Sequence, residues 1–383
     1  MTSRERVLTA LDHREPDRVP FDLNSTLVSG IHHIAYNRLR EYLGLKKKET
    51  ELFDRVQGLA RVHDDVYEKL EVDTRGVLTG SPFGWELELE VTPEYEQFTD
   101  VWGITWRRPK PHGLYYDMVG HPLKGKTLDE VKKYDWPNPR DEKRMMGIKK
   151  EASKLSKSDC LVVLGTVGMT VGLLQTFQWL LGYEDSFYAL AADPELTHYL
   201  VGKLAEMDIE FWEWAIPYLG DDIKVVLYAD DFGMQTGPVF SYEMYKRYFH
   251  PWYSKIFSTI KKQRSDLYIF FHSCGSSRFI LPDLIESGVD IFNPVQYTSA
   301  DMEPGKLKKD FGEDLTFWGG GIDTQKILPT GSVQQVRDEV KRRIDDFAPG
   351  GGFVFNTIHN IQPDVPPENI MAMWEALREY GRY

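Results

Sequence analysis

The chain alternates between short runs of consecutive apolar residues and longer stretches in which apolar residues recur every three or four positions. The short runs are residues 160–164 (CLVVL), 225–228 (VVLY), 268–271 (YIFF), 291–293 (IFN), 316–318 (TFW) and 353–355 (FVF), each running into a loop rich in glycine or polar residues. An apolar run too short for a helix and closed by turn residues is the signature of a strand buried on both faces, as in a parallel sheet. Two earlier runs, 18–23 (RVPFDL) and 72–78 (VDTRGVL), bring the set to eight. Helical periodicity falls over 3–14, 31–43, 64–70, 140–157, 193–218, 241–263 and 333–347, with Ser3 placed to cap the first of these. Eight parallel strands alternating with helices close into a (β/α)8 TIM barrel, and the loops after the strands then form its active face. Residues 1–383 read as a single domain of this kind. An open doubly wound sheet is the alternative, but no G-x-G-x-x-G follows a first strand to support a dinucleotide site.

Residues 84–136 depart from this rhythm. Runs such as WELELEV and DVWGITWRRP alternate aromatic and polar positions between turn residues, which predicts an antiparallel hairpin inserted over one mouth of the barrel as a lid or docking surface. WPNP at 136–139 closes the insertion.

Composition narrows the class. Hydrophobic residues make up 42% of the 383, and no apolar run approaches the length needed to cross a bilayer, so no membrane span is expected. The charged N-terminus lacks the apolar core of a secretory signal, which predicts a cytoplasmic protein. A net charge of −13 argues against a nucleic-acid partner. With only two cysteines, Cys160 and Cys274, there is no disulfide framework, and Cys274 is free to serve as a thiolate ligand.

Chemistry concentrates at YIFFHSCG, 268–275. His272 and Cys274 stand at i and i+2, on one side of an extended backbone, and imidazole and thiolate are preferred by zinc. Two such residues begin a metal site without completing it, and a lone His-x-Cys is as readily a buried small hydrophobe beside a hydrogen-bonded ring. Barrel closure would bring to them the other polar residues at strand ends: Asp230, Asp231, Asn293, Gln296, Asp323, Gln325, His359 and Asn360. Singly, each reads better as a helix cap or a loop tie than as a site residue. As a set, His272, Cys274 and His359 are three N/S ligands that leave a fourth position open, the pattern of a catalytic zinc. Asp230 is then an occasional fourth ligand or a neighbour of the ligands. Alternatively, Asp230 and Asp231 form an acid/base dyad in which like charges raise one pKa. Gln296 and Asn360 complete the catalytic candidates.

The motifs DDFGMQTGP, FHSCGS, SGVDIFNPVQ, LKKDFGEDLTFWGGGIDTQKILPTG, APGGGFVF and HNIQPDVPPENI, with the opening RERVLTALDHREPDRVPFD and the segments DVWGITW and HPLKGKTLDEV, carry a resemblance over nearly the whole chain. The chain resembles the uroporphyrinogen decarboxylase superfamily and, within it, the cobalamin-dependent methyltransferase branch. That resemblance implies a (β/α)8 barrel with zinc at the C-terminal mouth, the His-x-Cys of the methyltransferases falling on His272 and Cys274. Two departures follow. The decarboxylases carry an Arg-Gln-Ala-Gly-Arg-like run near the N-terminus to hold porphyrinogen carboxylates, whereas this chain has DLNSTLVSGIHH, without an arginine. The methyltransferases that use coenzyme M place a cysteine shortly before P-x-x-P-x-E-N, where this chain has His359. One thiolate and two imidazoles leave zinc a formal positive charge, which suits polarising an oxygen better than activating a thiolate. The resemblance thus implies a Zn2+-dependent methyltransferase that moves a methyl group from a small O-methylated donor, such as a methoxylated aromatic, to the cobalt of a corrinoid (cobalamin). Lacking an Asp-x-His-x-x-Gly motif, the chain would receive that corrinoid on a partner protein. The alternatives are a methylcorrinoid:thiol methyltransferase, a uroporphyrinogen-type decarboxylase, and a barrel that binds a metal or tetrapyrrole without turnover.

Overall fold

Seven of the eight expected strands pair as one parallel sheet in the computed structural model, which describes residues 1–165 and 169–383. They are β1 (Thr74–Val77), β2 (Leu161–Leu164), β3 (Ile223–Ala229), β4 (Tyr268–His272), β5 (Ile291–Asn293), β6 (Thr316–Trp318) and β7 (Phe353–Val354), and their order in space is their order in sequence. The loop GTVGMTVG expected after 160–164 lies partly outside the described residues, at 166–168.

The eighth run, 18–23, is not a strand but does a strand's work. Pro20 has no N–H to give a ladder, so the pairing shrinks to a few bonds. Phe355 N donates to Pro20 O at 2.8 Å, Asp22 N to Phe355 O at 2.9 Å, and Asp73 N to Phe21 O at 2.9 Å. The segment therefore lies between β7 and β1 and closes the ring. A charge cluster holds this seam. The fully buried Asp73 accepts from Arg6 Nη1 at 2.6 Å, Arg18 Nη1 at 2.7 Å and Phe21 N at 2.8 Å.

Closure gives every strand residue one of two destinations. Leu161, Val163, Val225, Leu227, Phe270, Ile291, Trp318 and Val354 pack together inside the barrel, plugged at one end by Val7, Ala10 and Leu11 of helix Ser3–Leu11. Their neighbours Val162, Leu164, Val226, Tyr228, Ile269, Phe271, Phe292, Phe317 and Phe353 join the larger core against the surrounding helices. This is the period of two that a pleated strand imposes.

Local chemistry moves several expected boundaries. Thr2, not Ser3, caps the first helix, through a reciprocal box with Glu5. The expected helix 140–157 is split into Glu142–Met145 and Ile148–Leu155 by Gly147, whose φ of 83° is left-handed. The stretch 241–263 forms Tyr242–Tyr248 and His250–Gln263, because Pro251 cannot donate to a continuous helix. The insertion is a four-stranded antiparallel sheet rather than one hairpin: Glu90–Val91, Tyr95–Thr99, Thr105–Pro109 and Asp117–Gly120. Trp106 of this sheet meets Trp179 edge to face at 5.2 Å, and Tyr115 hydrogen-bonds Gln362 in the segment after β7.

Asp73→Asn should destabilise the protein by about 3–5 kcal/mol in urea unfolding, because two guanidinium groups lose their shared buried carboxylate. A loss below about 1 kcal/mol, the range of an exposed pair, would mean that backbone pairing alone holds the seam.

Candidate metal centre

The alternation that builds the core also delivers the candidate ligands. Phe270 points into the barrel and Phe271 away from it, so His272 returns to the interior and is buried. Asn293 stands beside it in register on β5. The Asn293 amide nitrogen donates to Trp318 O at 2.5 Å, which turns its oxygen toward His272 Nδ1. Nδ1 therefore carries the proton, and Nε2 presents its lone pair toward Cys274 Sγ, 3.3 Å away. His359, after β7, brings its ring centroid to 5.7 Å from that of His272. The donor atoms of His272, Cys274 and His359 all lie within 4.8 Å of one another. Two donors about 2.0–2.3 Å from a tetrahedral zinc stand roughly 3.5 Å apart, so the His272–Cys274 separation already matches a chelate edge.

Electrostatics agree with this geometry. Burial, helped by the neighbouring His272 ring, pushes His359 down to about 4, so its imidazole is neutral near pH 7. Burial, and then the Asp231 carboxylate, push the Cys274 thiol well up, so a thiolate at this point calls for a cation beside it. The residues present thus fit zinc: one thiol that a cation would ionise, one neutral imidazole, and one imidazole with its tautomer fixed.

Glycine makes the turn possible. Gly275 has φ +77°, and a Cβ there would stand 2.4 Å from the Gly233 backbone, so the two loops touch where neither has a side chain. Gly275 N donates to Gln296 Oε1 at 2.7 Å, fixing the exit of the Cys274 loop.

The other expected site residues divide. Gln296, Asp323 and Gln325 line a cavity of about 350 Å³ together with Cys274 and His359, and among the described lining residues there is no lysine or arginine. Asp323 Oδ1 accepts from Gln325 N at 2.7 Å. Asp231 lies beside the candidate ligands, its Oδ1 accepting from Cys274 N at 2.7 Å and standing 3.7 Å from His272 Nε2. Asp230 does not join it. Val225 and Leu227 face inward and Val226 and Tyr228 outward, so Asp230 falls on the helix side. There it accepts from Leu174 N at 2.6 Å, from Gln175 N at 2.8 Å and from Tyr253 OH. It caps helix Leu173–Leu181, whose own first cap residue, Gly172, has no side chain to offer. Burial raises Asp230 to about 7. The fourth-ligand reading of Asp230 has no counterpart in this placement; of the dyad reading a minor part remains, since burial is the main cause of the raised pKa and the neighbouring Asp231 charge adds to it. Asn360 is not brought to the cavity either. It accepts from Gly30 N at 2.6 Å and donates to Leu27 O at 3.0 Å and Gln57 Oε1 at 2.8 Å, tying two loops. Sequence reasoning missed the orienting role of Asn293, which the inward parity of β5 signals, and Gln175, which no local pattern signals.

Comparisons with known proteins bear on this arrangement. A family model described as uroporphyrinogen decarboxylase (URO-D) matches residues 118–380. The uroporphyrinogen decarboxylase of Geobacter sulfurreducens is 25% identical over 285 residues, covering 71% of this chain and 77% of that protein. That of Geotalea uraniireducens is 28% identical over 191 residues, 50% of this chain and 51% of the relative. Among solved structures, a methyltransferase from Methanosarcina mazei matches with a TM-score of 0.64 over 99% of both chains at 17% identity, a likeness of fold.

Replacing Asn293 by alanine removes the acceptor that fixes the His272 tautomer. Zinc affinity, measured by competition with a chromophoric chelator, should weaken about 10–100-fold. Unchanged affinity would mean that Asn293 does not set the ligand's orientation.

Proposed function

The chain belongs to the uroporphyrinogen decarboxylase (URO-D) family, and from that premise we propose that it is a zinc-dependent methyltransferase. It takes a methyl group from a small O-methylated donor, a methoxylated aromatic for instance, and passes it to the cobalt of a corrinoid carried by a partner protein. The observation that carries this reading is the convergence of the donor atoms of His272, Cys274 and His359, two of which, Cys274 and His359, line one cavity. Zinc held by these three residues would supply Lewis acidity toward an ether oxygen, with one formal positive charge left over from a single thiolate.

The chain's own residues prepare that chemistry. Asn293 keeps the His272 proton on Nδ1, and burial keeps His359 neutral, so both imidazoles offer lone pairs. Asp231 holds the Cys274 backbone N–H. The cavity, about 350 Å³, lies at the small end of the roughly 300–1,000 Å³ that drug-sized ligands occupy. It suits a single substituted ring.

Decarboxylation, the activity in the names of the sequence relatives, is the second reading. A porphyrinogen with many carboxylates is larger than this cavity and needs counter-charge. The described lining has no cation, the segment DLNSTLVSGIHH has no arginine, and the net charge of −13 opposes an anionic substrate. Methylcorrinoid:thiol transfer is disfavoured by the second imidazole, since a metal left positive makes a bound thiolate a poorer nucleophile. The reading also places the protein in the cytoplasm. Both cysteines are unpaired, and no helix among the described residues is long and apolar enough to cross a membrane.

The test is single-turnover demethylation of methoxylated aromatics with a reduced corrinoid protein, run on the native chain and on His359→Cys. The variant should keep its zinc, since thiolate is an equal or better ligand. Its demethylation should fall about a hundred-fold or more, as the formal charge drops to zero. Native-rate demethylation by a zinc-loaded variant would mean that the charge left by the second imidazole does not drive the reaction, and would remove the ground for disfavouring thiol transfer. Turnover of a porphyrinogen by the native chain would overturn the methyltransferase reading.

A further inference from the structure

We propose that Gln175 is a positioning residue that holds the Asp231 carboxylate beside the metal donors but out of the fourth coordination position, keeping that position for the methyl donor. The inference rests on the zinc reading above and concerns how its open position stays open.

Carboxylate is an ordinary zinc ligand, and a centre with one formal positive charge attracts it. Asp231 is close enough to respond. Its Oδ1 is 3.7 Å from His272 Nε2, yet it is not one of the donor atoms that lie within 4.8 Å of one another, so it stands beside the group and not in it. Unrestrained, it would close the coordination sphere and convert a catalytic site into a structural one. Two hydrogen bonds restrain it. Cys274 N donates to Oδ1 at 2.7 Å, and Gln175 Nε2 donates to Oδ2 at 3.0 Å. The first belongs to the ligand loop itself. The second is the side-chain restraint among the described residues, and it comes from a different element.

Gln175 is well placed to hold. It stands in the first turn of helix Leu173–Leu181, and its own backbone N–H donates to Asp230 Oδ1 at 2.8 Å. The helix start is pressed onto β3 at Gly172, where a Cβ would meet Ala229 O at 2.1 Å and Asp230 Cγ at 2.6 Å. The two adjacent aspartates therefore act in series. Asp230 fixes the backbone of the helix end, and from that end the Gln175 amide fixes Asp231. A neutral amide suits the task, since it donates to the carboxylate without altering the charge of the centre.

The test uses the full-length protein loaded with Co2+, with visible absorption reporting coordination and azide as the probe of the open position. Native protein should bind azide with a clear spectral change. In Gln175→Ala the spectrum without azide should already differ. The apparent azide affinity should fall about ten-fold, as when a competing ligand fills the position about nine-tenths of the time. The double variant Gln175→Ala/Asp231→Asn should recover both native properties, which a folding defect at residue 175 would not allow. A native spectrum and native azide affinity in Gln175→Ala would overturn the proposal, as would a defect that persists in the double variant. Native protein that takes up no Co2+ would overturn the metal reading beneath it.

Discussion

A closed parallel sheet gives each residue of a strand two destinations, the barrel interior or the layer of helices, and successive residues must alternate between them. That constraint decides the chemistry here. It sends Phe270 inward and Phe271 outward, and so returns His272 to the interior beside Asn293. It sends Asp230 to the helices, where a carboxylate can do nothing more useful than cap one. The seam at 20–22 matters for the same reason. An open sheet would leave both edges unpaired and would not bring the loop after β7 to the loop after β4. The Arg6, Arg18 and Asp73 cluster is therefore distant from the centre and yet a condition of it.

Much of this was legible in the sequence, and the parts that were not have physical causes. The apolar runs located six of the seven paired strands because a strand buried on both faces leaves nothing else for its residues to be, while the seventh, in 72–78, was expected despite its polar Asp73, Thr74 and Arg75. The run 18–23 was misread because its proline removes the ladder bond on which strand pairing depends, although its place in the ring was anticipated. His272 and Cys274 stood out because their spacing keeps them on one side of extended backbone, and His359 because it lies in the loop after the last strand. Asp230 was expected beside His272 and Cys274, whereas it faces the helices; parity was available, since counting from Val225 would have placed it outward. Gln175 was invisible for a different reason. Its link to Asp231 crosses from the helix after β2 to the loop after β3, and nothing local in either segment records it.

Family membership and the centre answer different questions. The URO-D family supplies the barrel, and the relatives from Geobacter sulfurreducens and Geotalea uraniireducens bear the decarboxylase name. The residues at its mouth supply one thiol, two imidazoles and a small cavity without a cation among the described lining residues. A fold of this kind hosts unrelated activities, so the site and not the scaffold must carry the functional claim. The decisive difference is charge. A porphyrinogen site has to neutralise carboxylates, while this one offers a single centre that becomes positive only when a metal sits on His272, Cys274 and His359.

The central claim is that these three residues bind one metal, and X-ray absorption at the zinc edge on the purified native protein tests it most directly. A second group, His250, Asp283 and Glu286, also gathers donor atoms within 4.8 Å, but Lys246 Nζ already lies 2.8 Å from Asp283 and supplies the cation there. The two groups differ in sulfur, which the spectrum resolves. The account predicts about one zinc per chain with one sulfur near 2.3 Å and two imidazole nitrogens near 2.0–2.1 Å. A zinc shell without sulfur, or a protein that retains no metal, would contradict it.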